Sequence, residues 1–510
     1  PLWLKIQKEE IQMRNLKRAL SLALAAIMLI GMMVVSASAA SYNNLTDKDE
    51  IVNKDAVSML VSLGIIEGKP DGSYAPTENV DRAQMAKMLS VIMNKGVDNS
   101  ALYQSVNSGL TDITSHWAKG HINYCYTTGI IAGRGNGKFD PSATVTALEA
   151  AKMLLVAVGY DPAIEGFEGA DWAINVSVRA DEQGIFEGFT KDLSAPLNRD
   201  DAALLIYNAL DVEMIQSYTT NNYPIVYSDH RTILSDKYGV IKVEGVVTAN
   251  EWAILDDDTD TALQEGKTRI YNPDGILSTT GNTAVAQDSS ANVKTQVFNV
   301  STPVDMLGKA VTMYVKKTTI LADSTVYGAP VVSDVNTVIE TGEKVTGGDS
   351  KDDDSLAALL KGTGLATDKA TEYYHNYEEV AIDSADVDDI MNVKGAALTV
   401  IDNDNDGYVN YVISVEKSLT HVSGVSSKNE TTTLYGLPGD DVIDNEDIVT
   451  TATDLTKGDV VLVVQYGGRT YVEEPKTVTG EMELFNAKNK DDNKNYIKVG
   501  GGEYKQDGLE

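Results

Sequence analysis

The sequence predicts a multidomain α + β protein: an N-terminal all-α domain made of three repeats, followed by β-rich modules built as small barrels or sandwiches. Two observations carry this. VDRAQMAKML from Val80, VTALEAAKML from Val145 and LNRDDAALLI from Leu197 are three versions of one helix start. After Ile215 the texture changes to alternating apolar and polar residues rich in Val, Thr, Asp and Gly, the period of half-buried strands.

Residues 1–12 precede Met13 and read as a ribosome-binding site translated through, with Met13 as the expected start. Residues 13–39 have the order of a secretory signal peptide: RNLKR, an apolar run from Ala19 to Val35, then SASAA, with cleavage expected after Ala39. That run is short against the roughly 20 residues a membrane span needs, so no span is expected in the exported chain.

Three repeats follow, at 41–100, 105–160 and 161–216. They align on LGIIEG, TGIIAG and QGIFEG, which end at Gly68, Gly133 and Gly188. Upstream, one repeat position holds Val52, Trp117 and Trp172, and another holds Asp47, Asp112 and Phe167. Downstream, PDGSYAP and GNGKFDP match, whereas the third copy has a shorter TKDLSAP. Ala56, Met59, Leu60 and Leu63 have helical spacing before the glycines, and Met85, Met88, Leu89 and Ile92 have it after them. Each copy therefore reads as helix, glycine loop, helix. Gly64, Gly68, Gly129 and Gly133 are expected as backbone necessities at helix ends. One such unit cannot bury its apolar face alone, so the three are expected to pack together.

At each second helix, Asp81 with Gln84, Thr146 with Glu149, and Asn198 with Asp201 form the capping-box arrangement. Arg82 and Arg199 need another reason, because a cation in the first turn opposes the helix dipole. Either they are solvated surface charges or they meet an anion, for which a guanidinium beside free helix amides is well suited. Lys87 and Lys152 share one position, either aiding that anion or lying on a wet helix face; Leu204 replaces them in the third copy. Trp117 and Trp172 fit a core or a platform for sugar faces. Ala147 stands where the second copy should have its arginine, which puts one of three pockets in doubt.

These motifs resemble the S-layer homology domain, whose pattern runs roughly F-x-D, WA, GII-x-G, DG-x-F-x-P, TRAE. LTDITSHWAKGHI, TGIIAG, GNGKF and DPSATVTALE of the second copy match it best. The resemblance implies a three-lobed helical assembly. It also implies a role: holding an exported protein to a Gram-positive cell wall through an acidic secondary cell-wall polysaccharide or another peptidoglycan-linked polymer. On that reading Asp47, Arg82, Lys87, Asp112, Trp117, Lys152, Trp172 and Arg199 are the candidate polysaccharide-binding residues. The expected location is the cell wall or surface layer, with self-association in such a layer as a further expectation.

The β-rich part is expected as a module at 217–346, an acidic linker with a short helix at 347–370, a module at 371–477, and the start of another at 478–510 that reads as truncated. VEGVV, VSGVS and VTGEM form a looser repeat; LGKAVTMYV and LTKGDVVLVV follow the first two. In IDNDNDGYVNYV, Asp402, Asp404 and Asp406 precede Gly407 and could surround a calcium ion with oxygen ligands. A plain hairpin turn is the alternative, since Ile413 stands where a helix-loop-helix calcium site needs its bidentate glutamate.

Composition narrows the function. A formal charge of −33 argues against nucleic-acid binding and points to cations or neutral surfaces as partners. The single cysteine, Cys125, excludes internal disulfides. Acids outnumber Lys and Arg within the repeats too, so any anionic polymer must be recognised locally. No HExxH and no GxSxG occurs, so no enzyme is expected within the chain. The alternatives are an anchor for a surface enzyme, such as a polysaccharide hydrolase whose catalytic domain lies beyond residue 510, and a surface adhesin.

Overall fold

The computed structural model describes residues 42–255, 262–276, 293–316, 324–340, 356–380, 396–437, 441–450, 454–475, 477, 479–486, 496–499 and 502–505. The leader expected at 13–39 and residues 347–355 of the acidic linker lie outside these residues. The chain divides into two units, Pro1–Tyr238 and Gly239–Glu510.

The first unit is helical. Its elements are α1 (Lys54–Ser62), α2 (Arg82–Met93), α3 (Lys119–Thr127), α4 (Ala147–Val158), α5 (Trp172–Glu182) and α6 (Arg199–Leu210). They form three helix pairs, one per repeat. The spaced apolar residues face inward: Ala56, Met59, Leu60, Met85, Leu89 and Ile92 are all buried. Gly64 and Gly129 end their first helices at φ of 68° and 79°, a conformation that penalises any Cβ. Asp81 and Thr146 make full capping boxes. The third is only half a box: Asn198 caps the Asp201 amide, but the Asp201 carboxylate pairs with Lys191 at 2.6 Å.

The three pairs are joined by a closed cycle of backbone hydrogen bonds. Val80 N–H donates to Leu197 O at 2.8 Å, Leu197 N–H to Val145 O at 2.8 Å, and Val145 N–H to Val80 O at 2.9 Å. All three residues are buried, each just before a helix cap. The next amides reach outward in the opposite rotation. Arg82 and Ala83 donate to Ala143 and Pro141 of the second repeat, Leu148 to Leu193 of the third, and Arg199 and Asp200 to Glu78 and Pro76 of the first. Helix N-termini leave amides without intrahelical partners, and here the neighbouring repeat's loop satisfies them.

Residues 217–238, expected as β module, belong to this unit. Ile215–Tyr218 pairs antiparallel with Pro224–Val226, and Tyr218 Oη donates to Glu165 at 3.0 Å.

The second unit is built of sheets. The first runs Thr295–Phe298, Thr268–Tyr271, Val240–Asn250, Ala310–Lys316, Val326–Val332, antiparallel throughout. Another runs Val442–Asp444, Thr431–Leu434, Ser418–Ser426, Val460–Tyr466, Arg469–Glu473, Ile448–Thr450. The loose repeat is thus one shared topology, because VEGVV and VSGVS lie in corresponding central strands and VTMYV and VVLVV pair beside them. Between these in sequence is a sheet ordered Glu378–Glu379, Glu372–His375, Tyr411–Glu416, Ala396–Asp402, Thr337–Glu340. The expected boundaries at 346 and 371 therefore fail, since Thr337–Glu340 pairs across the linker with Ala396–Asp402. The segment 371–477 divides between two sheets. Among the described residues no sheet closes into a barrel. The first sheet and the intervening one share a core in which Val243, Val247, Phe298 and Val311 meet Tyr374, Ile401 and Ile413. A three-stranded sheet, Met482–Asn486, Tyr496–Val499 and Gly502–Lys505, follows.

One buried titratable group ties the first two repeats together. His121 on α3 has Nδ1 2.6 Å from Ser90 Oγ on α2, and Nε2 3.7 Å from the Asp98 carboxylate. Burial pushes its pKa below the ordinary 6.5, against the pull of Asp98. The unfolded chain then binds a proton more readily, so this contribution to stability is complete above pH 6.5 and declines as pH falls through the window below it. Melting temperatures at pH 7.5 and pH 5 are expected to differ more for the wild type than for His121→Gln. An unchanged difference would show that other groups set the acid response.

Candidate functional site

The arginines answer to their neighbours' loops. Arg82 is only 4% exposed. Its Nε donates to Phe139 O at 2.9 Å and its Nη2 to Ala132 O at 2.8 Å, while the guanidinium lies 4.5 Å from the Phe139 ring centre. Arg199 does the same to the first repeat, with Nε to Tyr74 O at 2.8 Å, Nη2 to Glu67 O at 3.3 Å and the Tyr74 ring at 4.7 Å. Burial lowers the Arg82 pKa to about 10, and the nearby Arg134 adds to this. The solvated-charge reading is thereby excluded. These side chains fasten one repeat to the next through Nε and Nη2.

Each arginine borders a groove assembled from all three repeats. The first groove, about 510 Å³, brings Lys87 and the loop Ile65–Pro70 of repeat one together with Trp117 of repeat two and Arg199 of repeat three. The second, about 360 Å³, brings Lys152 and the Ile130–Arg134 loop of repeat two together with Trp172 of repeat three and Arg82 of repeat one. Neither tryptophan is core. Trp117 is 56% exposed and Trp172 is half-buried. Lys87 pairs at 3.6 Å with Glu67; Lys152 Nζ donates to Phe167 O and stands 5.7 Å over the Trp172 ring.

Applying the same rotation once more gives the third position, and there the composition collapses. The arginine site is Ala147, the lysine site is Leu204, and the tryptophan site is Val52, 82% exposed. These three departures fall at one inter-repeat position. Lys69 and Arg134 also line the two grooves, and neither is among the residues that the motif singles out. A signal is nonetheless present, since each directly follows the second glycine of its loop, where the third repeat has Phe189.

Asp47 and Asp112 do not join the grooves. The Asp47 carboxylate accepts the Tyr74 and Ala75 amides, both at 2.7 Å. Asp112 accepts those of Phe139 at 3.0 Å and Asp140 at 2.8 Å. Ala75 and Asp140 have φ of 56° and 61°, so each carboxylate stabilises a left-handed bend in its own loop. Burial opposes ionisation of Asp112, but these amide bonds outweigh it and hold its pKa below the usual value. Their role is to shape the loop against which the arginine rests.

Asp402, Asp404 and Asp406 occupy the hairpin turn between Ala396–Asp402 and Tyr411–Glu416, with carboxylate oxygens within 4.8 Å of one another. Asp402 accepts the amides of Asn405 at 2.8 Å and Gly407 at 3.1 Å, and Asp406 accepts that of Tyr408 at 2.7 Å. The turn's own hydrogen bonds account for Asp402 and Asp406. No metal site is assigned to this turn.

With this geometry in place, comparison with known proteins is informative. The family model described as S-layer homology domain matches residues 44–86 and 109–151. The matched segments lie in the first and second repeats. A cell surface protein of Thermoanaerobacter kivui is 26% identical over 394 residues, which is 77% of this chain and 44% of that protein. So long an alignment cannot fit within the helical unit and extends into the sheets. An S-layer protein of Bacillus licheniformis is 32% identical over 22% of this chain and 12% of its own length. An amylopullulanase of Thermoanaerobacterium thermosulfurigenes is 31% identical over 31% of this chain and 9% of its own. The chain spans less than half the length of each of these relatives. The domain and these similarities indicate a secreted protein associated with the cell wall at the cell surface. No helix among the described residues is long and apolar enough to cross a membrane.

The latch has a measurable cost. Arg82→Ala leaves the Phe139 and Ala132 carbonyls without their charged donor, and removing one partner of such a buried bond typically costs about 1–3 kcal/mol. Denaturant unfolding is expected to show a loss of that size for Arg82→Ala, whereas a loss under about 0.5 kcal/mol, the usual effect of a surface substitution, would mean that the latch carries no load.

Proposed function

We propose that the helical unit anchors an exported surface protein non-covalently to the cell wall, by holding an acidic secondary cell-wall polysaccharide in its two built grooves. In this reading the third helix pair is a diverged copy of the matched domain. The observation that carries the proposal is the convergence, twice over, of a guanidinium, an ammonium and an accessible indole from three different repeats. In a chain of charge −33, such clustering of cations is local by construction. Indole faces suit sugar rings, and ammonium and guanidinium groups suit the polymer's acidic substituents.

A second reading keeps the same anchor and changes its cargo. The likeness to an amylopullulanase supports a surface enzyme as the anchored protein, while the likenesses to surface and S-layer proteins support a structural coat. The helical unit does the same work in both.

The full chain is expected to sediment with sacculi that retain their polysaccharide and to stay in solution with sacculi stripped of it. Replacing Trp117 and Trp172 together by Ala is expected to weaken sedimentation at least tenfold, with little change in melting temperature, because Trp117 is exposed and Trp172 only half-buried. Equal sedimentation with stripped sacculi would overturn polymer recognition, and full binding by the double variant would remove the grooves from it.

A further inference from the structure

We propose that the two grooves are chemically unequal: the one holding Lys87 and Arg199 takes the anionic group of the wall polymer, and the one holding Arg82 and Lys152 takes uncharged sugar. This rests on the wall-binding reading and adds to it which residues read the charge.

The difference lies in how far each cation is already committed inside the protein. In the second groove, Arg82 is buried with two short bonds to carbonyls. Arg134 Nη1 is 2.6 Å from the Glu149 carboxylate, itself held by the capping box. Lys152 is bonded to Phe167 O and lies over the indole of Trp172, covering part of the face a sugar would need. Two carboxylates, those of Glu149 and Glu168, line this groove. An incoming anion would have to break charge-assisted bonds and approach two like charges.

The first groove offers the opposite. Among its described lining residues the one carboxylate is that of Glu67. Lys87 meets Glu67 at 3.6 Å, and their side chains are 38% and 71% exposed, a loose pair that can be exchanged at little cost. Arg199 is only half-buried, and its Nη2 bond to Glu67 O is long at 3.3 Å. Lys69 is engaged by Glu78, so Lys87 and Arg199 supply the available positive charge. Among the described residues no Lys or Arg lies over the Trp117 ring; its ring neighbours are His116 and His121. An anionic sugar therefore finds an open indole flanked by an ammonium and a guanidinium.

The anion could be a carboxylate or a phosphate, and the test separates them. Sedimentation of the full chain with polysaccharide-bearing sacculi would be titrated for the wild type, Lys87→Gln and Lys152→Gln, with melting temperatures checked for each. Lys87→Gln is expected to weaken binding tenfold or more and to flatten its salt dependence, and the loss at Lys152→Gln is expected to be at least threefold smaller. Amidating the carboxylates of the sacculi should reproduce the Lys87→Gln loss if the anion is a carboxylate and leave binding intact if it is a phosphate. Equal losses at the two lysines, or a larger loss at Lys152, would overturn the inequality while leaving wall binding in place. Failure of the wild type to sediment at all would instead remove the wall-binding reading beneath it.

Discussion

The helical unit depends on three backbone hydrogen bonds that close on themselves. Val80 donates to Leu197, Leu197 to Val145 and Val145 to Val80, so each repeat is at once donor and acceptor. A buried peptide group without a partner is costly, and at this point none of the three repeats can satisfy its own. Removing any one would leave the other two with an open donor and an open acceptor in the core. Closure also fixes the rotation by which every second helix starts over the next repeat's loop. The position of the arginines, and hence of the grooves, follows from that rotation.

Arg82 and Arg199 do two jobs through one guanidinium. Each gives Nε and Nη2 to carbonyls of the neighbouring loop and lies on that loop's aromatic ring, and each also lines a groove. The planar fork of an arginine permits this division, which a lysine with a single point charge could not reproduce. Asp47 and Asp112 act one step further back, bending the loop so that its carbonyls face the guanidinium. The groove is thus supported by residues that never need to touch a ligand.

Much of this is legible in the amino-acid order. Apolar spacing locates the helices, three polar pairs locate the caps of the second helices, and alternation locates the strands. Partnership is what a linear pattern leaves out. The carbonyls that bury Arg82 belong to the next repeat, and nothing in a linear period says which repeat comes next in space. The same gap explains the sheets: Thr337–Glu340 lies in a stretch expected to be β-rich, but its partner lies about sixty residues on, across the linker, because alternation marks a face and not a neighbour. Lys69 and Arg134 are less legible for a simpler reason, since the glycine before each already accounts for the loop.

Partnership also changes the meaning of departures from the repeat. Read along the chain, Val52, Ala147 and Leu204 fall one in each of three copies. Read around the cycle, they meet at one position, together with Phe189 where the other loops carry Lys69 and Arg134. Scattered losses would have left three crippled grooves. Their concentration leaves two whole ones, because an inter-repeat groove draws its arginine from one copy, its indole from another and its lysine from a third. Each groove is therefore a property of the interface between repeats, and no single copy contains one. Each copy keeps its helices, its buried residue in the hydrogen-bond cycle and its cap even where the adjoining groove lacks the arginine, the lysine and the indole.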